Sequence, residues 1–234
     1  MAGSRIWPAA IVFDLDGTLV DSAPDIARAL NAGFGPLGVE PYDAARAKAL
    51  IGGGARAAIE RAIDNAGLDA GRVDMAALYA RFMTAYAEAS AEGRGLYPGA
   101  HEALSELKAA GVPLALCTNK SHDIALIAMR ALGITGYFTS ILGARDGQPK
   151  KPDPRALELA LAPIAVPPPA AVMIGDSAAD IGAARAAGCP SIAMSYGYAK
   201  GPVADLGADR IVDRLHDLPA AITAMTAARA LTQN

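Results

Sequence analysis

The sequence predicts an α/β protein, with a doubly wound parallel sheet and an all-helical segment inserted after the first strand. Three observations support this. Short apolar runs alternate with alanine-rich helical patterns along most of the chain. The apolar runs are uniform rather than alternating, as expected of parallel strands that helices cover on both faces. One long interval after the first run contains helical patterns only.

Six segments have the character of buried strands, since each is short, apolar and followed by polar or turn-forming residues. They are Ala9–Leu15, Val112–Cys117, Thr139–Leu142, Ala171–Ile174, Ser191–Met194 and Arg210–Val212. Because helical stretches separate them, the connections should cross both faces of one sheet. The predicted fold is therefore Rossmann-like.

The interval between the first two strands is too long for a single crossover connection. Four helical patterns occupy it: Pro24–Phe34, Tyr42–Leu50, Ala55–Ala66 and Val73–Glu92. We expect residues 22–95 to form a helical cap domain, and residues 1–21 and 96–234 to form the α/β core. Glycine-rich and proline-rich joints near Asp21–Pro24 and Gly93–Gly99 should act as its hinges.

Composition and charge exclude several classes of function. The chain has 234 residues, is 53% hydrophobic and carries a formal net charge of -3. This charge supplies no basic surface for nucleic acid or an anionic membrane. No apolar run approaches the roughly 20 residues of a membrane span, and no signal peptide is visible. We expect a cytoplasmic monomer or homodimer in which Cys117 and Cys189 are reduced packing residues.

Polar residues follow the predicted strands, at the sheet edge where ligands of open parallel sheets bind. The first, second and fourth strands each contribute two of them. They are Asp14, Asp16, Thr118, Asn119, Asp176 and Asp180.

The acidic residues at this edge predict a divalent metal ion. Asp14 and Asp16 are two positions apart, so an extended backbone points both carboxylates to the same side, about 6–7 Å apart. Asp176 and Asp180 add negative charge that only a cation makes stable. Oxygen ligands without a His or Cys cluster are typical of Mg2+.

The remaining polar groups suit a phosphoryl group. Thr118, Asn119 and nearby backbone amides are able to hold its oxygens. Lys151, at the predicted start of a helix, is placed to neutralise both the phosphate and an attacking carboxylate.

These segments resemble the four motifs of the haloacid dehalogenase superfamily: residues 14–22 (DLDGTLVDS), Thr118-Asn119, Lys151 before Pro152, and residues 175–180 (GDSAAD). The resemblance covers the whole chain. It implies that Asp14 attacks phosphorus and that Asp16 acts as general acid and then as general base. It also implies that Mg2+ is held by Asp14, the Asp16 carbonyl and Asp176. Asp180 either ligates the metal or orients its shell and Lys151.

The substrate class follows from two further features. The dehalogenases themselves lack an aspartate at the position of Asp16, which favours phosphoryl transfer, and a helical cap favours a small diffusible substrate. Within the superfamily the chain is most similar to phosphoglycolate phosphatases. On that resemblance, Gly53, Gly54 and Arg56 bind the carboxylate of 2-phosphoglycolate, which is hydrolysed to glycolate and phosphate through a phosphoaspartyl intermediate.

Alternatives remain open. The same motifs suit a sugar-phosphate phosphatase or a β-phosphoglucomutase-like phosphomutase, and a non-catalytic binding protein is a further alternative. Gly52–Gly54 is also typical of an interhelical turn, and Arg56 of an exposed helix residue. Lys120 suits either a surface position at a helix start or a place in the site.

Overall fold

The computed structural model describes residues 8–232 and contains a six-stranded parallel sheet, which confirms the predicted fold class. The strands are β1 (Ala10–Phe13), β2 (Leu114–Ser121), β3 (Ser140–Ala144), β4 (Ala171–Gly175), β5 (Ser191–Met194) and β6 (Arg210–Val212). Their order across the sheet is β3-β2-β1-β4-β5-β6. The order reverses between β1 and β4, and a crevice that binds ligands opens at such a reversal.

Four helices lie between β1 and β2 in the sequence: α1 (Ala23–Phe34), α2 (Ala44–Leu50), α3 (Ala55–Asn65) and α4 (Met75–Ser90). The other five long helices follow β2 or connect it to the insertion: α5 (Ala100–Ala109), α6 (His122–Ala131), α7 (Arg155–Leu161), α8 (Ala178–Ala186) and α9 (Leu218–Thr232). Among residues 8–232 we find no helix whose length and apolar character suit a membrane span.

Alternate residues of β1 pack on opposite faces of the sheet. Ile11 and Phe13 are buried in a cluster that also contains residues of α5, α6 and α9. Ala10 and Val12 are buried in a second cluster, with residues of α7 and α8. Full burial of a large apolar side chain stabilises by about 1.5–3 kcal/mol. Apolar surface on both faces therefore holds β1 in the centre of the sheet.

The inserted helices have an apolar core largely of their own. Leu30 of α1, Ile59 of α3 and Phe82 of α4 are buried together, and Ile124 of α6 joins them from the sheet side. Aspartates cap two of these helices. The Asp43 carboxylate accepts a hydrogen bond from the Arg46 amide at 2.7 Å, and Asp74 accepts one from the Ala77 amide at 3.0 Å.

The two segments that join the insertion to the sheet run side by side. Val20 and Leu96 form an antiparallel bridge, and the Asp21 amide donates to the Gly95 carbonyl at 2.7 Å. Gly95 has φ of +81°, and a Cβ atom there would lie 2.4 Å from the Asp21 carbonyl oxygen. Only glycine fits this crossing without a shift of the backbone.

Candidate active site

The loop after β1 lies against the end of β4. The Asp14 amide donates to the Ile174 carbonyl at 2.9 Å, and Thr18 Oγ1 donates to Asp176 Oδ1 at 2.8 Å. Gly17 has φ of +87°, and a Cβ atom there would lie 2.4 Å from Asp176 Oδ2. The glycine of the first motif is therefore required for the close approach of two acidic segments.

Asp176 is buried at the centre of this approach. Its Oδ2 accepts a hydrogen bond from the Tyr198 amide at 2.6 Å, and a Cβ atom at Gly197 would lie 2.2 Å from the Asp176 Cβ. Burial first, and then the charges of Asp180 and Asp14, raise the pKa of Asp176 to about 8. The structure thus holds this carboxyl rigidly where its ionised form is disfavoured.

Lys151 lies between two of the acidic residues. Its Nζ is 2.9 Å from Asp14 Oδ1 and 2.6 Å from Asp180 Oδ1, and the side chain is almost fully buried. Burial lowers the pKa of Lys151, but the charges of Asp14 and Asp180 outweigh burial and raise it above its usual value. The ammonium is therefore charged at any physiological pH.

Asn119 holds the backbone of Lys151. Its Nδ2 donates to the Lys151 carbonyl at 2.8 Å, and its Oδ1 accepts from the Lys151 amide at 3.0 Å. This pair of bonds gives the Asn119 side chain a positioning role that the sequence did not predict. Thr118 is buried beside it, and its hydroxyl accepts from the Lys120 amide at 3.2 Å. Both residues line the cavity described below.

Both carboxylate oxygens of Asp180 accept hydrogen bonds. Oδ1 accepts from Lys151, while Oδ2 accepts from the Asp176 amide and from the amide and hydroxyl of Ser177, at 3.2, 3.0 and 2.6 Å. The bond from the Ser177 amide is one half of a capping box at the start of α8. Of the two roles expected for Asp180, this geometry supports the orientation of Lys151.

Three buried carboxylates have the arrangement of a cation site. Asp14, Asp176 and Asp180 each offer an oxygen, and these oxygens lie within 4.8 Å of one another. Burial, opposed by Lys151 and reinforced by Asp180 and Asp16, raises the pKa of Asp14 to about 7. Asp14 Oδ1 is paired with the Lys151 ammonium at 2.9 Å, and Asp180 shares the same ammonium, so one cation serves two of the three carboxylates. Three buried carboxylates with a single ammonium between them leave uncompensated negative charge, which fits a hard divalent ion.

The Asp16 carboxylate lies outside that group. Its Oδ1 is paired with Lys120 Nζ at 3.0 Å, and the Lys120 side chain is only 2% exposed. The Lys120 ammonium also donates to the Tyr86 hydroxyl and lies 3.9 Å from the centre of the Tyr86 ring. Lys120 is therefore part of the site and not a surface residue. In a single sequence only its position directly after Thr118-Asn119 could have indicated this.

A cavity of about 300 Å3 lies between the sheet edge and the inserted helices. The sheet side contributes four aspartates and three other polar residues: Asp14, Asp16, Asp176, Asp180, Thr118, Lys120 and Lys151. The insertion contributes Gly53, Gly54, Arg61 and Tyr86. The insertion approaches the sheet closely at Gly54, where φ is +90° and a Cβ atom would lie 3.0 Å from the Asn119 carbonyl oxygen.

Arg56 differs from its expected position, because it does not line this cavity. Its side chain is exposed, with the guanidinium carbon 5.8 Å from the centre of the Tyr79 ring. The face of α3 that lines the cavity carries Ala55, Ala58 and Arg61, at a spacing of three residues. Arg56 directly follows Ala55, and adjacent residues of a helix do not share a face, so the Arg56 side chain is directed away from the cavity.

Arg61 is the arginine of α3 that reaches the cavity. Its Nε and Nη2 donate to the Leu50 carbonyl at 3.1 and 2.6 Å, and Nη2 also donates to the Gly52 carbonyl. Arg61 thus fixes the glycine segment and brings a positive charge to the cavity wall.

The sequence matches the family described as haloacid dehalogenase-like hydrolase over residues 11–194. A phosphoglycolate phosphatase of Caulobacter vibrioides is 39% identical over 219 residues, which are 93% of this chain and 92% of the relative. A phosphoglycolate phosphatase of Rhodospirillum rubrum is 40% identical over 212 residues, with 88% and 87% of the two chains covered.

Solved structures with a similar fold point to the same family. A predicted phosphoglycolate phosphatase from Haemophilus somnus has a TM-score of 0.85 at 31% identity, covering 91% of this chain and 97% of its own. CbbY from Rhodobacter sphaeroides, crystallised as a mutant with xylulose-(1,5)bisphosphate, has a TM-score of 0.75 at 31% identity, with 90% and 96% covered. With the motif residues gathered at one sheet edge, the chain belongs to the haloacid dehalogenase-like hydrolases and is a phosphoric monoester hydrolase of that family.

Proposed function

We propose that this enzyme is a Mg2+-dependent phosphatase that hydrolyses 2-phosphoglycolate to glycolate and phosphate through a phosphoaspartyl intermediate on Asp14. The observation that carries the proposal is the site itself. Asp14 is paired with Lys151 and lies beside two further buried carboxylates, while Asp16 lies apart from them in the same cavity.

In the first step an Asp14 oxygen attacks phosphorus and the ester P–O bond breaks. Asp16 gives a proton to the departing oxygen. In the second step a water attacks the phosphorus of phosphoaspartate, Asp16 takes a proton from that water, and phosphate leaves while the Asp14 carboxylate is restored. Lys151 and the Thr118 hydroxyl hold phosphoryl oxygens in both steps.

The metal would be held by carboxylate oxygens of Asp14 and Asp176 and by the Asp16 carbonyl, with Asp180 holding Lys151 in place. When bound, Mg2+ supplies positive charge that offsets the charge on the phosphoryl oxygens and on the acidic cluster. The raised pKa values of Asp14 and Asp176 support this role, because burial without a cation disfavours both carboxylates.

The substrate carboxylate would bind at Gly53 and Gly54, with Arg61 taking the role that the sequence gave to Arg56. Arg61 is close to the glycines because it donates to the Gly52 carbonyl. We also propose that residues 22–95 are the cap domain and residues 1–21 and 96–234 the core, with hinges at the paired joints. A cytoplasmic location and a monomeric or dimeric state stay predictions.

Phosphate release from a panel of esters tests the proposal. The panel contains 2-phosphoglycolate, 2-hydroxyethyl phosphate, p-nitrophenyl phosphate and xylulose 1,5-bisphosphate, each with Mg2+ or with EDTA. We expect release to be led by 2-phosphoglycolate, to require Mg2+, and to fall at least about 1,000-fold in Asp14→Asn, since that variant lacks the nucleophile. Full activity in Asp14→Asn overturns the mechanism.

A sugar bisphosphate is the second candidate substrate, because CbbY, 31% identical, was crystallised with xylulose-(1,5)bisphosphate. If xylulose 1,5-bisphosphate leads the panel, the mechanism stands and the substrate proposal is wrong. If a bisphosphate is consumed without release of inorganic phosphate, the enzyme is a phosphomutase.

A further inference from the structure

Lys120 is a buried cation that the proposed mechanism does not use. It lies near the end of β2, and its side chain is only 2% exposed. A buried ammonium is costly unless anions and hydrogen-bond acceptors surround it. Its partners among the described residues should therefore show what it does.

One partner is Asp16, at 3.0 Å. Lys120 is the one side chain within residues 8–232 that bonds to the Asp16 carboxylate, whereas Asp180 has four donors. Asp16 follows β1 in a loop and is 14% exposed. Without Lys120, the carboxylate would be free to change rotamer at the cavity wall.

The second partner belongs to the insertion. Tyr86 of α4 is buried, its hydroxyl accepts a hydrogen bond from Lys120, and its ring lies 3.9 Å from the ammonium. A cation beside an aromatic ring in a desolvated place is attracted by the electron-rich face of the ring. The contact exists only while α4 covers the sheet edge. Lys120 thus connects the insertion to Asp16.

We infer that Lys120 is a positioning residue for Asp16, and that Tyr86 completes this arrangement when α4 covers the site. The inference rests on the proposed function, in which Asp16 gives the leaving oxygen its proton. A proton donor that is misplaced by about 1 Å loses much of its effect, since transfer requires hydrogen-bond distance. Lys120 acts through Asp16 and needs no contact with substrate.

The leaving group distinguishes this role from general damage. The alkoxide released from 2-hydroxyethyl phosphate is strongly basic and needs a proton, whereas p-nitrophenolate leaves without one. Because kcat/KM reports the steps up to phosphoryl transfer, its change measures help to the leaving group. We expect Lys120→Met to lower kcat/KM at least about 30-fold for 2-hydroxyethyl phosphate and less than about threefold for p-nitrophenyl phosphate.

Two further variants accompany this measurement. Tyr86→Phe keeps the ring and loses the hydroxyl, so we expect a loss of about fivefold for the alkyl ester and a smaller loss for the aryl ester. This variant carries the test if Lys120→Met does not fold. Lys150→Met, at an exposed lysine of the same chain, is the control for removal of a positive charge and should leave both values unchanged.

Several outcomes overturn the inference. Equal losses on both esters would mean that Lys120 only supports the fold. A raised KM for 2-phosphoglycolate alone, with 2-hydroxyethyl phosphate unaffected, would mean that Lys120 binds the substrate carboxylate. The proposed function fails separately, if the unaltered enzyme releases phosphate from none of the esters or if Asp14→Asn remains active.

Discussion

Asp180 shows how a single carboxylate can organise a site without reacting. It is fully buried, and it joins Lys151 to the start of α8 through four hydrogen bonds. In Asp180→Asn an amide replaces one carboxylate oxygen, so either Lys151 or Ser177 faces a donor instead of an acceptor. We expect the free energy of unfolding to fall by about 2–3 kcal/mol, as for the loss of a hydrogen bond to a buried charge. Urea unfolding of the metal-free protein measures this change.

Asp153→Asn is the matched control for that variant. Asp153 also pairs with a cation, Arg155 at 2.6 Å, but on the surface. Exposed pairs add little to stability, so we expect no measurable change. Equal effects of the two substitutions would contradict the role given to the buried pair.

At this scale the sequence predicted part of the site. Asp14, Asp16, Thr118, Asn119, Lys151, Asp176 and Asp180 were expected at one sheet edge because they follow strands or a turn, and the structure brings them together. The contacts of Lys120 and Asn119 could not be predicted in the same way. Lys120 meets Tyr86, 34 residues away, and Asn119 holds a backbone 32 residues away. Such pairs depend on tertiary packing, which no local pattern contains.

At the scale of elements, α3 shows why helix phase matters. Arg56 and Arg61 lie on one helix, but only Arg61 is on the face that lines the cavity. We expect Arg61→Gln to raise KM for 2-phosphoglycolate about tenfold or more, since a charge-assisted bond to a carboxylate is worth about 1.5–3 kcal/mol. Arg56→Gln is the matched control and should stay within about twofold. Steady-state kinetics decide, and the reverse result would restore the expectation from the sequence.

The paired joints of the insertion give a second prediction for elements. Gly95 combines a positive φ with a close contact to the Asp21 carbonyl, whereas Gly111, with φ of +76°, has open space around it. We expect Gly111→Ala to lower the free energy of unfolding by about 1–2 kcal/mol, from backbone strain alone. Gly95→Ala should cost about 1–3 kcal/mol more, because its methyl group also meets the backbone. Urea unfolding compares the two, and equal costs would mean that the joints adjust easily.

The strand boundaries show where local patterns reach their limit. The sequence ended the second strand at Cys117, because Thr118, Asn119 and Lys120 are polar. In the structure β2 continues to Ser121, which pairs with Ala144 of β3 after a shift in register. Polar residues extend the strand here because the site requires them at the sheet edge. By contrast, β5 and β6 have the bounds expected from their apolar residues.

At the scale of the whole molecule, the sheet and the insertion are packed around separate apolar cores, with the cavity between them. A long interval of helical patterns predicted the inserted helices, and four α-helices occupy it. The sequence could not predict which inserted residues face the sheet, because that depends on how the helices are rotated against it. Residues from both parts line the cavity, so the site is complete only when they are together.

With the proposed metal, the buried acids of the cavity should make the stability of the molecule depend jointly on pH and metal. The folded-state pKa values of Asp14 and Asp176, about 7 and about 8, lie above the usual value of 3.8. The folded protein therefore binds more protons than the unfolded chain. Without metal, the free energy of unfolding should fall as pH rises from about 4 to about 8. On the proposed function, Mg2+ would bind the ionised carboxylates, so its stabilising effect should grow over the same interval.

We expect 10 mM MgCl2, compared with EDTA, to raise Tm by about 3 °C or more at pH 8.5 and by less than about 1 °C at pH 5.5. The value at pH 8.5 corresponds to a Mg2+ concentration about tenfold above its Kd. Thermal unfolding at matched ionic strength measures both shifts. Asp176→Asn removes one of the two carboxylates and is expected to lose most of the gain at pH 8.5. A gain that is equal at both pH values, or unchanged in Asp176→Asn, would show that the buried acids do not hold the metal.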